Sequence, residues 1–88
     1  MKKFNLGEIV ITPAALSYIH DSAGVLLERH ASGDWGTMDP DDCEEMDHSL
    51  ANGNDQLLMS TFHVDGTEVW VITEHDRSVT TILLPSDY

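Results

Sequence analysis

Residues 68–85, EVWVITEHDRSVTTILLP, carry the pattern that decides the predicted fold. Two runs rich in β-branched and apolar residues, 69–73 and 78–84, flank a short polar turn that contains His75, Asp76 and Arg77. This pattern predicts a β-hairpin. Successive side chains of a strand point to opposite faces, and both faces of this hairpin are largely apolar. We therefore expect one face to be covered and the other to be covered at least in part.

The sequence before this hairpin predicts the rest of a small sheet. Residues 56–64 form a further strand candidate, and Asp65 and Gly66 after them are a strong two-residue turn signal. The three C-terminal strands would form an antiparallel meander. Residues 7–12, GEIVIT, predict a short strand that could be added at an edge of the sheet.

Helix start and stop signals divide the middle of the chain. Thr12 followed by Pro13 predicts a helix N-terminus, and a second short helix would begin at Asp21 or Ser22. The sequence from Asp39 to Gly53 predicts the clearest helix, since an Asp cap and Pro40 open it and Asn52-Gly53 closes it. The predicted fold class is therefore α+β. One domain, 1–88, would hold a three- to four-stranded antiparallel sheet with two or three short helices packed on one face.

Charge is the unusual property of the composition. The 88 residues include 16 acidic and four basic residues, a net charge of −12, with a hydrophobic content of 41% that is ordinary for a globular domain. This balance argues against direct binding to nucleic acid or to an anionic membrane. It permits a basic protein or nucleoprotein partner, a cation, imitation of nucleic-acid charge, or acidity that serves solubility alone.

Other global features point to the cytoplasm. A single cysteine, Cys43, excludes an internal disulfide and suits a reducing compartment. The N-terminal apolar run is too short and too polar for a signal peptide, and no run is long enough for a spanning helix. We expect a cytoplasmic protein.

The predicted acidic helix is the first candidate site. Eight of the 16 acidic residues lie between Asp34 and Asp55, where no Lys or Arg occurs. Cys43, Met46 and Leu50 are spaced to form one buried stripe, which leaves the carboxylates on the wet side. The candidate partner-binding residues are Asp39, Asp41, Asp42, Glu44, Glu45 and Asp47.

A second candidate site combines the GDWG loop with the EHDR turn. Charged residues from separate loops often build a pocket on a small scaffold, here His30, Asp34, Trp35, Glu74, Asp76 and Arg77. The structural alternative is that Trp35 turns inward as a core anchor. Arg77 would then pair with Glu74 or Asp76, or reach the acidic helix or Asp34. His30 would bond to backbone at a helix end.

Catalytic and metal sites are not indicated by the sequence. Cys43 lies among acidic neighbours, which raise the pKa of a thiol, and no nucleophile elbow or phosphate-binding glycine pattern occurs. Metal-ligand spacings such as HxxxH and CxxC are also missing. We expect a protein that is not an enzyme and that uses no cofactor.

Three separated blocks resemble a known family. They are LGEIVITPAAL, RHASGDWG and VWVITEHDRSVTTILLPSDY, and together they extend over nearly the full length. The chain resembles short bacterial proteins carried on mobile elements and often labelled plasmid-related. The family pattern is LGxIVxTPxA, HxxGDWG and WVITExDRSxTTxLLPxxY. The matching positions are His30, Gly33, Asp34, Trp35, Gly36, Glu74, Asp76, Arg77, Ser78, Thr80 and Thr81.

The resemblance implies a mobile-element context but no activity, catalytic residue or ligand. The segment 41–47 is more acidic than the family pattern leads us to expect, so a role for that acidity would be specific to this member. The sequence thus favours an acidic interaction protein, in its sharpest form a nucleic-acid mimic acting as an anti-CRISPR or anti-restriction protein. The alternative is a small enzyme or ligand-binding protein that uses the pocket described above. A homodimer formed through the hairpin face around Trp70, Ile72 and Leu83 is compatible with either.

Overall fold

A computed structural model of the chain describes residues 2–53 and 55–88. It shows an α+β fold, as the sequence predicts. The strands are β1 (Glu8–Ile11), β2 (Leu58–Val64), β3 (Thr67–Thr73) and β4 (Val79–Leu83). The α-helices are α1 (Pro13–Ile19), α2 (Ala23–Ala31) and α3 (Pro40–Ala51), with single 3₁₀ turns at His20–Ser22 and Pro85–Asp87.

The predicted meander is confirmed, but the sheet is mixed and not wholly antiparallel. Its strand order is β1-β4-β3-β2. Strands β2, β3 and β4 pair antiparallel, whereas β1 runs parallel to β4 with Ile9 opposite Thr80. The prediction of an antiparallel sheet was wrong at this edge, because the four-residue β1 has no strongly buried face that fixes its direction.

One face of the sheet forms the main core. Val69, Val71 and Ile82 point to this face and have no exposed surface. They pack against Ala15 and Ile19 of α1 and Leu26 of α2. Burial of such side chains stabilises the fold by about 1.5–3 kcal/mol each. The opposite face of the sheet is covered in part, as predicted, since Ile72 and Leu83 on that face are buried and Trp70 is half-buried.

The helix starts follow the predicted capping signals, with one exception. The Thr12 hydroxyl accepts a hydrogen bond from Ala15 N–H, and the Asp39 carboxylate accepts one from Asp41 N–H. Ser22 occupies the cap position of α2 but makes no side-chain capping bond, because the 3₁₀ turn already continues into the helix. None of the helices within residues 2–53 and 55–88 has the length and apolar character needed to span a bilayer.

Candidate functional site

Helix α3 displays the predicted acidic face to solvent. Met46 is 3% exposed and packs against Leu58 and Trp35, so it fixes which side of the helix turns inward. Cys43 and Leu50 are half-buried beside it, which confirms the predicted stripe. The other side leaves six carboxylates exposed, those of Asp39, Asp41, Asp42, Glu44, Glu45 and Asp47.

Within residues 2–53 and 55–88, these carboxylates form no salt bridge with Lys, Arg or His. The salt bridges among the described residues join Arg29 to Asp34 and His63 to Glu68, away from α3. Asp41, Glu44, Glu45 and Asp47 line a shallow open depression together with His48. The acidic face therefore presents uncompensated charge on one rigid element.

The field of this face acts on the single thiol. Partial burial raises the pKa of Cys43, and the carboxylates of Asp47, Asp39 and Asp42 raise it further. The thiolate is the nucleophilic form of cysteine, so this environment suppresses its reactivity.

The GDWG loop is a structural connection between α2, β2 and α3. Trp35 is 4% exposed, and its indole Nε1 donates a hydrogen bond of 2.9 Å to Asp47 Oδ1. The Asp34 carboxylate accepts hydrogen bonds from Arg29 Nε at 2.7 Å and from Gly36 N–H at 3.0 Å. Burial by itself raises the pKa of Asp34, but these two donors and the Arg29 charge lower it overall. The polar groups of Asp34 and Trp35 are therefore bonded within the protein, to residues of α2, of the loop itself and of α3.

The EHDR turn is stabilised by hydrogen bonds from the Arg77 side chain to backbone carbonyl oxygens. Arg77 Nη1 donates to the carbonyl oxygens of Gln56, Glu74 and His75, at 2.7, 3.1 and 3.1 Å. The prediction that Arg77 pairs with an acidic side chain was therefore wrong. The Arg77 backbone adopts φ 62°, and its N–H also donates to the Glu74 carbonyl oxygen at 2.9 Å.

The Asp76 carboxylate stabilises the same turn through hydrogen bonds from Ser78. It accepts hydrogen bonds from the Ser78 hydroxyl at 2.6 Å and from Ser78 N–H at 3.0 Å. These two bonds lower the pKa of Asp76. Glu74 is exposed at the end of β3.

The aromatic ring of Phe4 separates the two halves of the predicted pocket. Its centroid lies 5.2 Å from that of His30 and 6.0 Å from that of Trp35, and the Arg77 Cζ lies 5.8 Å from its centre. Phe4 is 9% exposed, so it is a core residue of this cluster. His30, Trp35 and Arg77 are thus brought together around a side chain of the protein itself, while Asp34 and Asp76 bond to other partners and Glu74 is exposed.

His30 is fully buried and belongs to a chain of hydroxyl groups. Thr80 Oγ1 donates to the Leu6 carbonyl oxygen at 2.7 Å and lies 2.7 Å from Thr73 Oγ1. Thr80 has one hydroxyl hydrogen, so it accepts from Thr73. Thr73 Oγ1, 2.9 Å from His30 Nε2, then accepts the ring N–H. The contacts therefore assign the Nε2–H tautomer to a neutral His30.

The other ring nitrogen faces Ser60. His30 Nδ1 lies 2.5 Å from Ser60 Oγ, which is also 3.1 Å from the Asp34 carbonyl oxygen. With a neutral ring, the single hydroxyl hydrogen of Ser60 faces two acceptors, His30 Nδ1 and the Asp34 carbonyl oxygen, and serves one of them at a time. The pair resembles a nucleophile and its base, but both residues are 0% exposed and a substrate has no access to them. The prediction that His30 bonds to backbone was wrong, since its partners are side chains on β2 and β3.

Sequence reasoning missed Phe4, Ser60, Thr73 and Thr80. Alternation places Ser60, Thr73 and Thr80 on the inward face of their strands, and inward polar residues on three neighbouring strands are the signal that identifies such a network. Among residues 2–53 and 55–88, no group of three or more His, Cys, Asp or Glu side chains is placed to hold a metal ion. Comparison of the chain with protein-family models, with curated proteins and with solved structures finds no match.

Proposed function

We propose that the protein is a non-enzymatic interaction protein whose acidic face on α3 occupies a basic, nucleic-acid-binding groove of another protein. The observation that supports this proposal is the exposed, unneutralised row of carboxylates from Asp41 to Asp47. The resemblance to proteins of mobile elements makes a host defence complex, of the CRISPR or restriction type, the proposed target.

The density of charge on α3 fits this role. Five carboxylates over seven residues of α-helix, at about 1.5 Å per residue, correspond to about one charge per 2 Å. Duplex DNA carries one phosphate charge per about 1.7 Å of its axis. A basic groove that binds DNA phosphates would therefore contact a similar density of negative charge on α3, over the short length of this helix segment.

The rigidity of α3 also supports the proposal. Asp39 caps the helix, and the bond from Trp35 to Asp47 joins it to the loop beside β2. A binding surface held in one conformation loses less conformational entropy when it binds. Lys3 lines a neighbouring depression with Asp47, Leu50 and Ala51, which marks the C-terminal limit of the acidic face.

The test compares two variants that carry the same change of net charge. The first is Asp41→Asn, Glu44→Gln and Glu45→Gln, which spares the cap Asp39 and the Trp35 acceptor Asp47. The matched control removes three exposed carboxylates elsewhere, with Asp21→Asn, Glu28→Gln and Asp55→Asn. Each tagged protein is incubated with a nuclease-treated bacterial lysate and eluted in salt steps.

We expect the wild type and the control to retain a nucleic-acid-binding complex that moderate salt releases, because screening weakens electrostatic contacts. The α3 variant should lose it. The purified complex should then bind labelled duplex DNA less tightly when the wild-type protein is added. Equal capture by both variants, or DNA binding that the protein does not inhibit, would overturn the proposal.

A further inference from the structure

The sheet face opposite the helices carries a small apolar groove. Ile72 of β3 and Leu83 of β4 form its floor and are 5% and 6% exposed. Leu57 and Tyr88 form its walls at 41% and 82% exposed, and Glu74 and Thr81 complete the lining. Since α1, α2 and α3 pack on the other side of the strands, none of these three helices covers the groove.

The size of the groove suits a single side chain. Its volume is about 210 Å³. Pockets for small-molecule ligands are larger, at about 300–1,000 Å³. A buried aromatic or branched aliphatic anchor surrounded by polar groups is the common centre of a protein–protein contact.

The lining of the groove has one charged residue, Glu74, which is exposed and negative. Glu68 lies on the same face of β3 but outside the lining, where it contacts His63 and Trp70. The four strands contain no Lys or Arg. A Lys or Arg next to the anchor residue in sequence would therefore favour binding of the segment to the groove.

We propose that this groove binds a segment of a partner protein in which an aromatic or branched aliphatic residue adjoins Lys or Arg. The anchor would enter between Leu57 and Tyr88 and cover Ile72 and Leu83, and the cation would pair with Glu74. The groove lies on strands and not on α3, so this binding is independent of the acidic face. It adds a second contact with a defined sequence preference.

A second copy of the chain fits the groove poorly. Lys3 adjoins Phe4, but Phe4 is 9% exposed in its own core and cannot serve as an anchor without unfolding. Arg29 is already bonded to Asp34, and Arg77 to three carbonyl oxygens. A net charge of −12 on each copy also opposes self-association.

A displayed library of random peptides about ten residues long tests the proposal. We expect selection against the wild-type protein to enrich peptides in which Phe, Trp, Leu or Ile adjoins Lys or Arg. One enriched peptide is then labelled and its Kd measured by fluorescence anisotropy. Amide chemical shifts of β3 and β4 should change on binding, and those of α3 should not.

Two double variants separate the groove from the remaining surface. Leu57→Ser with Glu74→Gln should weaken binding at least about tenfold, because the anchor loses a wall and the exposed ion pair contributes a further factor of up to about five. Leu16→Ser with Glu28→Gln, exposed positions on α1 and α2, should leave Kd within about twofold. The α3 variant Asp41→Asn, Glu44→Gln and Glu45→Gln should also retain the groove binding in full.

Three results would overturn the proposal. The first is a library that yields no preference for a cation beside an apolar anchor. The second is equal Kd in the two double variants. The third is a concentration-dependent dimer of the wild type that disappears in the Leu57→Ser and Glu74→Gln variant, since a second copy would then be the occupant.

Discussion

Trp35 Nε1 donates a hydrogen bond to Asp47 Oδ1 over 2.9 Å, and this contact fixes the acidic helix relative to the sheet. The same tryptophan is anchored on β2, since Thr61 N–H donates to the Trp35 carbonyl oxygen at 3.1 Å and Thr37 N–H donates to that of Thr61 at 2.8 Å. The loop thus extends the sheet by a short bridge and holds α3 against its edge. The GDWG motif therefore positions α3 and its carboxylates.

Trp35→Phe should weaken this connection while keeping an aromatic ring in the core. We expect a loss of about 1–3 kcal/mol in the free energy of unfolding, because a bond to a charged acceptor is removed and buried ring area is lost. Urea denaturation measures the change. Trp70→Phe is the matched control. It removes a bond to the exposed Glu68 from a half-buried tryptophan, and its loss should be below about 1 kcal/mol. Equal losses would show that the Asp47 contact adds nothing.

Gly36 is required by the close approach of the loop to β2. Its φ is 66°, and an added Cβ would lie 2.0 Å from the Thr61 carbonyl oxygen. Gly53 has a similar φ of 68° but no heavy atom within 4 Å of an added Cβ. Gly53→Ala should therefore cost only the left-handed backbone penalty, about 1–2 kcal/mol.

Gly36→Ala should cost at least about 2 kcal/mol more, since the loop must move away from β2. Thermal and urea unfolding of the two variants measure the difference. A loss equal to that of Gly53→Ala would mean that the loop can shift without strain and that the bridge to β2 is dispensable.

The elements of this fold are predictable because their signals are local. The Thr12-Pro13 and Asp39-Pro40 starts, the Asp65-Gly66 turn and the alternation through 69–73 each depend on a few adjacent residues. The direction of β1 is not predictable from such local signals. A four-residue strand without a fixed hydrophobic face can pair with its neighbour in either orientation. Ile9 and Val10 are both about 40% exposed, so burial does not determine the pairing of this strand.

The candidate site was predictable only in its exposed part. Helical spacing places the acidic residues of α3 on one surface, and the structure shows them there. The pocket around His30 was not predictable, because Phe4 occupies its centre and comes from 26 residues away in the chain. A short polar N-terminal segment carries no pattern that assigns Phe4 to this place.

Phe4→Ala tests whether that cluster is core. Truncation of the ring should lower the free energy of unfolding by about 3–5 kcal/mol and leave a cavity beside Trp35, His30 and Arg77. Benzene or phenol should restore part of the loss by binding there, and the gain should grow with ligand concentration. Val25→Ala, at a position 58% exposed on α2, is the control and should change stability by less than about 0.5 kcal/mol. A loss below about 1 kcal/mol for Phe4→Ala would contradict its place in the core.

The buried imidazole should make stability depend on pH in a defined window. Burial lowers the pKa of His30 from 6.5 to about 4. The unfolded chain therefore binds a proton at this residue before the folded chain does, and stability falls as the pH is lowered from about 6.5 to about 4. The loss at the lower end is about 3 kcal/mol, at about 1.4 kcal/mol for each unit of pKa difference.

The carboxylates act in a different range. The Ser78 donors lower the pKa of Asp76 and the Thr12 hydroxyl lowers that of Asp87, so the stability they contribute is lost only below their ordinary pKa of 3.8. The difference between the wild type and His30→Gln therefore isolates the histidine. His30→Gln keeps a donor and an acceptor near Thr73 and Ser60, and its stability should change less between pH 6.5 and 4.

The hydroxyl network around His30 has one hydrogen-bond contact more than a neutral ring can supply with hydrogens. Between the Leu6 and Asp34 carbonyl oxygens there are five hydrogen-bond contacts, and a neutral His30 with Ser60, Thr73 and Thr80 provides only four hydrogens for them. A charged ring would provide the fifth. An NMR titration that finds the His30 pKa near 6.5, with equal pH dependence in the wild type and His30→Gln, would show that this additional bond offsets the cost of burying the charge.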